Sequence, residues 1–275
     1  VSAQRALGIA ATLGGGLSQN IGNMGMGLHA GNASRNGVTA ALLSREGFTA
    51  DPQPLEGRFG LMDALCGPGT YDISKLTENL GQPLRLLDPG ITIKPYPNCW
   101  AHHKVLQAVL ELKKEHDIRP EDVAHVYVDL QMDKPTYRYR IPKTDLEARY
   151  SLSYGIAAAL LDGELTLEQY TDQRVHSADC ADMMERIVDV PAEGDAQQNV
   201  VIELRDGSRL EKRIRYSKGH PLHDPLTLEE VCGKYRTCAG RMLPPEQVES
   251  SMEAILHLEE AQDLRKVMDL LVAAP

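Results

Sequence analysis

Between Ile91 and His103 (ITIKPYPNCWAHH) a lysine, a tyrosine, a cysteine, the only tryptophan and two histidines gather just ahead of a helical pattern. Pro95 and Pro97 restrict the backbone there, so Lys94 can be held at low entropic cost and suits a carboxylate anchor. A solvated surface lysine is the alternative. Cys99 reads either as part of a ligand site or as a small buried hydrophobe. His102 and His103 are neighbours, about 100° apart on a helix, so they cannot both face one site and do not make a metal pair. One of the two at most is functional.

A second group lies in Gly22 to Asn36 (GNMGMGLHAGNASRN), a glycine-rich turn that carries Met26 and His29 into a helix. Backbone N–H groups at a helix start bind carboxylates or phosphates. The text lacks the GxxxxGK[ST] of a phosphate-binding loop, and Gly25, Gly27 and Gly31 miss the GxGxxG spacing, which argues against a nucleotide site. The plainer reading of His29 is a capping or core histidine. Tyr150 and Tyr154 stand at i and i+4 at the start of a buried helix, where a hydroxyl can donate to a carboxylate or relay a proton; either can equally be a core aromatic. His220 and His223 have no partner acid or third ligand in the text and read as hinge residues.

The elements that must position these groups follow from periodicity. Val1 to Leu13 and His29 to Glu46 read as helices rich in small residues, ended by Gly14 to Gly16 and by Gly47, with a short helix over Asp72 to Leu80. A helix from Trp100 to Glu115, a strand from Val126 to Leu130, a buried helix over Leu146 to Leu161, and strands Val200 to Leu204 and Arg209 to Tyr216 follow. Asp206-Gly207 favours a two-residue hairpin turn between the last two. From Thr227 the pattern is helical, with Pro244-Pro245 opening one helix and another spanning Ala261 to Val272. The expected fold is α+β: a helical domain contributed by both ends of the chain, residues 1–92 and 224–275, around an inserted α+β lid, residues 93–223.

Over 275 residues, 42% apolar content supports a packed core. The formal charge of −10 argues against a nucleic-acid partner, since such a surface repels phosphates, and an acidic ligand needs a local cationic pocket. No stretch has the length of a membrane-spanning helix, and the expected location is the cytoplasm. Five cysteines, odd in number and without a CxxC pair, indicate neither a zinc site nor a disulfide framework. The chain opens on Val1, directly in helical text, as a fragment or processed chain does.

In order, spacing and local text, LHAGNASRNGVTAALLSREGF (Leu28 to Phe48), IKPYPNCWAHH (Ile93 to His103), EARYSLSYGIAAALLDG (Glu147 to Gly163) and PLTLEEVCGKYRTCAGRMLPP (Pro225 to Pro245) together resemble the MmgE/PrpD family, which includes 2-methylcitrate dehydratase and cis-aconitate decarboxylase. The resemblance spans nearly the whole chain. It implies a helical domain with an inserted α+β lid, no metal or organic cofactor, and dehydration, decarboxylation or epimerisation of a small di- or tricarboxylic acid. Dehydration of a 2-methylcitrate-like substrate, in propionate metabolism, is the reaction expected.

By position, the resemblance makes Lys94 a carboxylate ligand and places Tyr154, His29 and His103 among the catalytic residues. Met26 stands where a substrate-binding lysine is often found. Cys99 stands where cis-aconitate decarboxylase has an active-site histidine. The family's N-terminal helical segment, which supplies an acidic residue and a histidine, is not matched by this text. A homodimer, or a partner that supplies those helices, is therefore expected, and a non-catalytic truncated homologue or assembly partner is the competing reading.

Overall fold

Small residues set the packing of the first of two units, residues 1–88 and 89–275. The structure is a computed structural model that describes residues 2–194 and 198–273. In the first unit, helices α1 (Ser2–Thr12) and α2 (Met24–Arg45) pack together, with Ile9 and Ala40 buried. Gly8 permits a close approach, since a Cβ there would lie 2.6 Å from that of Ala50. Ser44 Oγ and Asn36 Nδ2 donate to the carbonyls of Ser2 and Leu13, at 2.7 and 2.8 Å, and tie the two helices. α2 begins five residues before the expected His29, because Asn23 caps it by accepting from Gly25 N–H at 3.0 Å. A further helix, α3 (Leu61–Cys66), was not apparent from periodicity. The expected Asp72 to Leu80 helix is only a 3₁₀ turn, Ile73–Leu76, capped by Asp72.

In the second unit a four-stranded sheet has the order β2-β1-β3-β4, with β1 (Val123–Val128), β2 (Ile187–Asp189), β3 (Asn199–Leu204) and β4 (Arg209–Arg213). β1 runs parallel to β2 and antiparallel to β3, and β3 and β4 are antiparallel. β2 is too short to carry an alternating pattern and is not visible in the text. The β3–β4 turn differs from expectation. Leu204 N–H bonds to the Ser208 carbonyl at 2.9 Å, so Arg205 to Gly207 form a three-residue loop with Gly207 at φ +87°, the geometry of a type I turn followed by a glycine bulge.

Helices α4 (His103–Glu115), α5 (Asp145–Ala148), α6 (Leu152–Asp162), α7 (Asp172–Val175) and α8 (Ala178–Glu185) accompany the sheet. Leu106 and Val109 of α4, Ile156 and Leu160 of α6, and Val126, Ile187 and Ile202 of the strands share one core. A Cβ on Gly155 would meet Leu106 Cδ2 at 2.9 Å, which explains why glycine stands where α4 and α6 come closest. α9 (Leu228–Ala239), α10 (Pro245–Leu256) and α11 (Leu264–Asp269) fall in the same unit. Thr227 and Glu230 form a capping box at the start of α9. Tyr235 Oη meets Ser251 Oγ at 2.8 Å, and Arg236 forks onto Glu249 at 2.6 and 2.8 Å, fixing α9 against α10. The fold is α+β, as expected.

Candidate active site

Two prolines leave the 94–98 stretch short of backbone donors, so it must be fixed mainly through other groups. At one end Ile93 N–H donates to the Gly219 carbonyl at 3.2 Å; at the other Cys99 N–H donates to the Arg149 carbonyl at 2.9 Å. Gly219 is required there, with φ +90° and with space for no Cβ, which would lie 2.0 Å from the Ile93 carbonyl oxygen. Between these ends, Lys94 Nζ donates to the Asn98 carbonyl at 3.2 Å, Lys234 Nζ to the Lys94 carbonyl at 2.5 Å, and Asn98 Nδ2 to Tyr170 Oη at 2.7 Å.

Where this segment turns into α4, both histidines are fully buried. His102 Nε2 lies 2.8 Å from the Thr136 carbonyl, which requires a proton on that nitrogen, and its ring packs on Tyr137 at 4.6 Å. Burial pushes its pKa down to about 4. His103 packs against the rings of Tyr96 and Trp100, at 5.0 and 4.8 Å with both tilted by 45°; its ring nitrogens are buried and make no bond of good geometry, although the Asn98 backbone lies near enough to favour the protonated ring. Burial and then the Lys94 ammonium push its pKa down to about 3, so it is neutral near pH 7. Asn98 Oδ1 and Arg149 Nε are also buried without partners, a concentration of bare polar atoms around one short segment. Burial raises the Cys99 thiol pKa and keeps it protonated.

The tyrosines divide in a way the sequence left open. Tyr154 is fully buried, packs edge-on to Tyr170 at 5.7 Å, and gives its hydroxyl to the Gln169 carbonyl. The hydroxyl expected to donate to a ligand is thus engaged within the fold, and burial raises its pKa far above the usual tyrosine range. Tyr150, four residues earlier, is partly exposed. Its hydroxyl is near enough to Cys99 for that thiol to help raise its pKa, after burial.

Lys94 is exposed, and beside it a cleft of about 350 Å³ runs between the proline segment and α9. Tyr96, Pro97, Leu165, Leu226, Glu230 and Lys234 line it, whereas Lys94 stands outside that lining. Lys218 ties the region together through Asp224 and Glu230, at 3.4 and 3.2 Å. Lys94, Cys99 and His103 are thus brought together. His29 and Met26 belong to α2 of the first unit. His29 is neither cap nor core, being partly exposed with Nε2 3.5 Å from Asn20 Nδ2, and Met26 is 37% exposed. His220 and His223 cluster with Tyr216, His223 stacked on its ring at 3.7 Å, in the turn that carries Gly219. Sequence reasoning missed Asn98, Arg149 and Lys234; the first lay inside the motif, but nothing in the text points from Lys234 to residue 94.

Comparison with known proteins agrees in extent. The MmgE/PrpD N-terminal domain matches residues 2–74, and the MmgE/PrpD C-terminal domain matches residues 96–260. Cis-aconitate decarboxylase of Homo sapiens is 27% identical over 282 residues, covering 98% of this chain and 57% of that protein. The Mus musculus enzyme of the same name is 28% identical over 283 residues, with 98% and 56% covered. For the Aspergillus terreus enzyme the figures are 26% over 297 residues, 98% and 59%. The chain therefore spans rather more than half the length of these relatives.

Proposed function

Since the chain belongs to the MmgE/PrpD family, we propose that it is a lyase acting on a small di- or tricarboxylic acid, and that its reaction is dehydration of a 2-methylcitrate-like substrate. One observation carries this reading. Lys94 is held against a carbonyl with no carboxylate within ion-pair distance among the described residues, in a chain with 39 acidic and 29 basic side chains. An exposed ammonium so placed is a cation ready for an anionic ligand.

In the elimination a C–H proton beside a carboxylate leaves to a base, the C=C bond forms, and the C–O bond breaks as the hydroxyl takes a proton and departs as water. No electrons are exchanged with another reactant, so the step is written without a cofactor. Lys94 holds the carboxylate and offsets the charge that builds on it as the proton leaves. His103, neutral and next to Lys94, is the proton acceptor in this reading, with a bound carboxylate offsetting the Lys94 charge that holds its pKa down. Tyr150 offers a hydroxyl, and Tyr154 supports the site from below through Tyr170 and Asn98. His29 and Met26 remain the first unit's candidates for ligand contact.

Decarboxylation of a cis-aconitate-like acid is the second reading, favoured by the names of the relatives. Cys99 weighs against it: a half-buried, protonated thiol does not replace an imidazole as a proton carrier. Epimerisation would use the same proton abstraction. We further propose residues 1–92 and 224–275 as parts of a helical domain, 93–223 as the lid, and a cytoplasmic homodimer or a partner chain that completes the site. A non-catalytic homologue or assembly partner is the competing proposal. No helix among the described residues is long and apolar enough to cross a membrane.

The test incubates the protein with 2-methylcitrate and with cis-aconitate, resolves the products by proton NMR, and measures oligomeric state by light scattering. Dehydrated product from the first substrate, reduced ~10²-fold or more by Lys94→Met, is the expected result. Unchanged turnover in Lys94→Met removes the basis for the site, and carbon dioxide release from cis-aconitate selects the second reading.

A further inference from the structure

Lys94 is only as well placed as the peptide that carries it. The amide nitrogen on the C-terminal side of that peptide belongs to Pro95 and has no hydrogen, and Pro97 removes a second donor two residues on. Besides its own N–H, residue 94 offers only its carbonyl for pinning that peptide, and the group that pins the carbonyl comes from α9, where Lys234 Nζ donates at 2.5 Å across a separation of 140 residues.

The mounting of Lys234 supports this use. Glu230 and Lys234 are one helical turn apart on the same face of α9, and both line the cleft beside the proline segment. Glu230 caps α9 and binds Lys218, which lies next to Gly219, the residue that receives Ile93. α9 in turn is locked to α10 by Tyr235 and Arg236. Two successive residues, Ile93 and Lys94, are thus held from one rigid assembly. Lys234 has no carboxylate within ion-pair distance among the described residues, so its charge is spent on a main-chain carbonyl.

We propose that Lys234 is a positioning residue for Lys94: by fixing the Lys94 carbonyl it sets the direction of the Lys94 ammonium toward a substrate carboxylate. This rests on Lys94 being the carboxylate ligand, and the experiment separates the two claims. Tricarballylate, a tricarboxylate with no hydroxyl to eliminate, is titrated calorimetrically into the wild-type chain, Lys94→Met, Lys234→Met, Lys234→Arg and the double Met variant. The expected result is an affinity about tenfold weaker in Lys234→Met, the scale of one charge-assisted hydrogen bond, largely restored by Lys234→Arg. Because the effect passes through Lys94, the double variant should bind no more weakly than Lys94→Met alone. Lys234→Gln, which keeps a donor without charge, replaces the Met variant if its melting temperature falls, and should bind with intermediate strength. Unchanged binding in Lys234→Met, or full additivity in the double variant, overturns the positioning role while leaving Lys94 as ligand. Loss of binding in Lys234→Met with no effect of Lys94→Met overturns both, as does a wild-type chain that does not bind tricarballylate.

Discussion

Acid should loosen the second unit through the two histidines that open α4. In the folded chain burial holds His102 near pKa 4 and His103 near 3, against about 6.5 for an unfolded histidine. Folded-state values that are depressed mean that the unfolded chain binds more protons between these limits. Stability is then full above pH 6.5 and falls as pH drops toward 4 and 3. At pH 5 an unfolded histidine is almost wholly protonated and the buried pair almost wholly neutral. Each contributes a loss of about 2 kcal/mol between pH 7 and pH 5, and the pair about 4 kcal/mol. Trp100, the only tryptophan, packs on His103 at 4.8 Å and is a built-in reporter for urea unfolding at each pH. Carboxylates with lowered pKa values, such as Asp179 and Glu230, add to the acid sensitivity, so the diagnostic quantity is a difference between proteins. His103→Gln keeps a neutral polar side chain and removes one titration. Whatever it does to stability at pH 7, its loss between pH 7 and 5 should be smaller than wild type by about 2 kcal/mol. Equal losses in the two proteins would refute the assignment of His103 as a buried neutral base.

The remaining predictions concern single contacts. Tyr154→Phe removes the hydroxyl bonded to Gln169 and should cost roughly 1 to 3 kcal/mol of stability, since the carbonyl is left buried without its donor, while Tyr150→Phe should lower turnover. Chemical denaturation and product assays on both variants check this, and an inactive but fully stable Tyr154→Phe would return the catalytic role to that residue. Gly219→Ala combines a positive φ with a Cβ 2.0 Å from the Ile93 carbonyl, so it should cost at least about 2 kcal/mol and weaken carboxylate binding; a neutral effect on both would mean that the Ile93–Gly219 contact is dispensable. Met26→Lys should tighten citrate more than a dicarboxylate, because it adds a cation on α2, and equal calorimetric affinities before and after would show that residue 26 does not meet the ligand.

The second unit was legible where α4 and α6 bury continuous apolar faces. The AAALL text of α6 and the alternating residues of β3 could be read directly. The starts of elements were less legible, because they depend on single side chains: Asn23 draws α2 forward, and Asp72 closes only a 3₁₀ turn. β2, with three residues, gains its place from the Val126 to Val128 strand beside it, information that no local window contains. At the site the order differed. Proline spacing marked Lys94 as constrained, but that the Tyr154 hydroxyl is engaged depended on the Gln169 carbonyl. The grip on residue 94 depended on Lys234, and neither distance leaves a trace in spacing.

The proline segment also has a history in time. A ribosome delivers Ile93 to Asn98 long before Tyr170, Gly219 and Lys234, the residues that hold it. Closing such wide loops costs entropy before the contacts form, so the segment should stay undefined on the nascent chain until α9 has emerged. A polypeptide released before α9 could retain the strands and the core of α4 and α6, yet its Lys94 would point nowhere in particular.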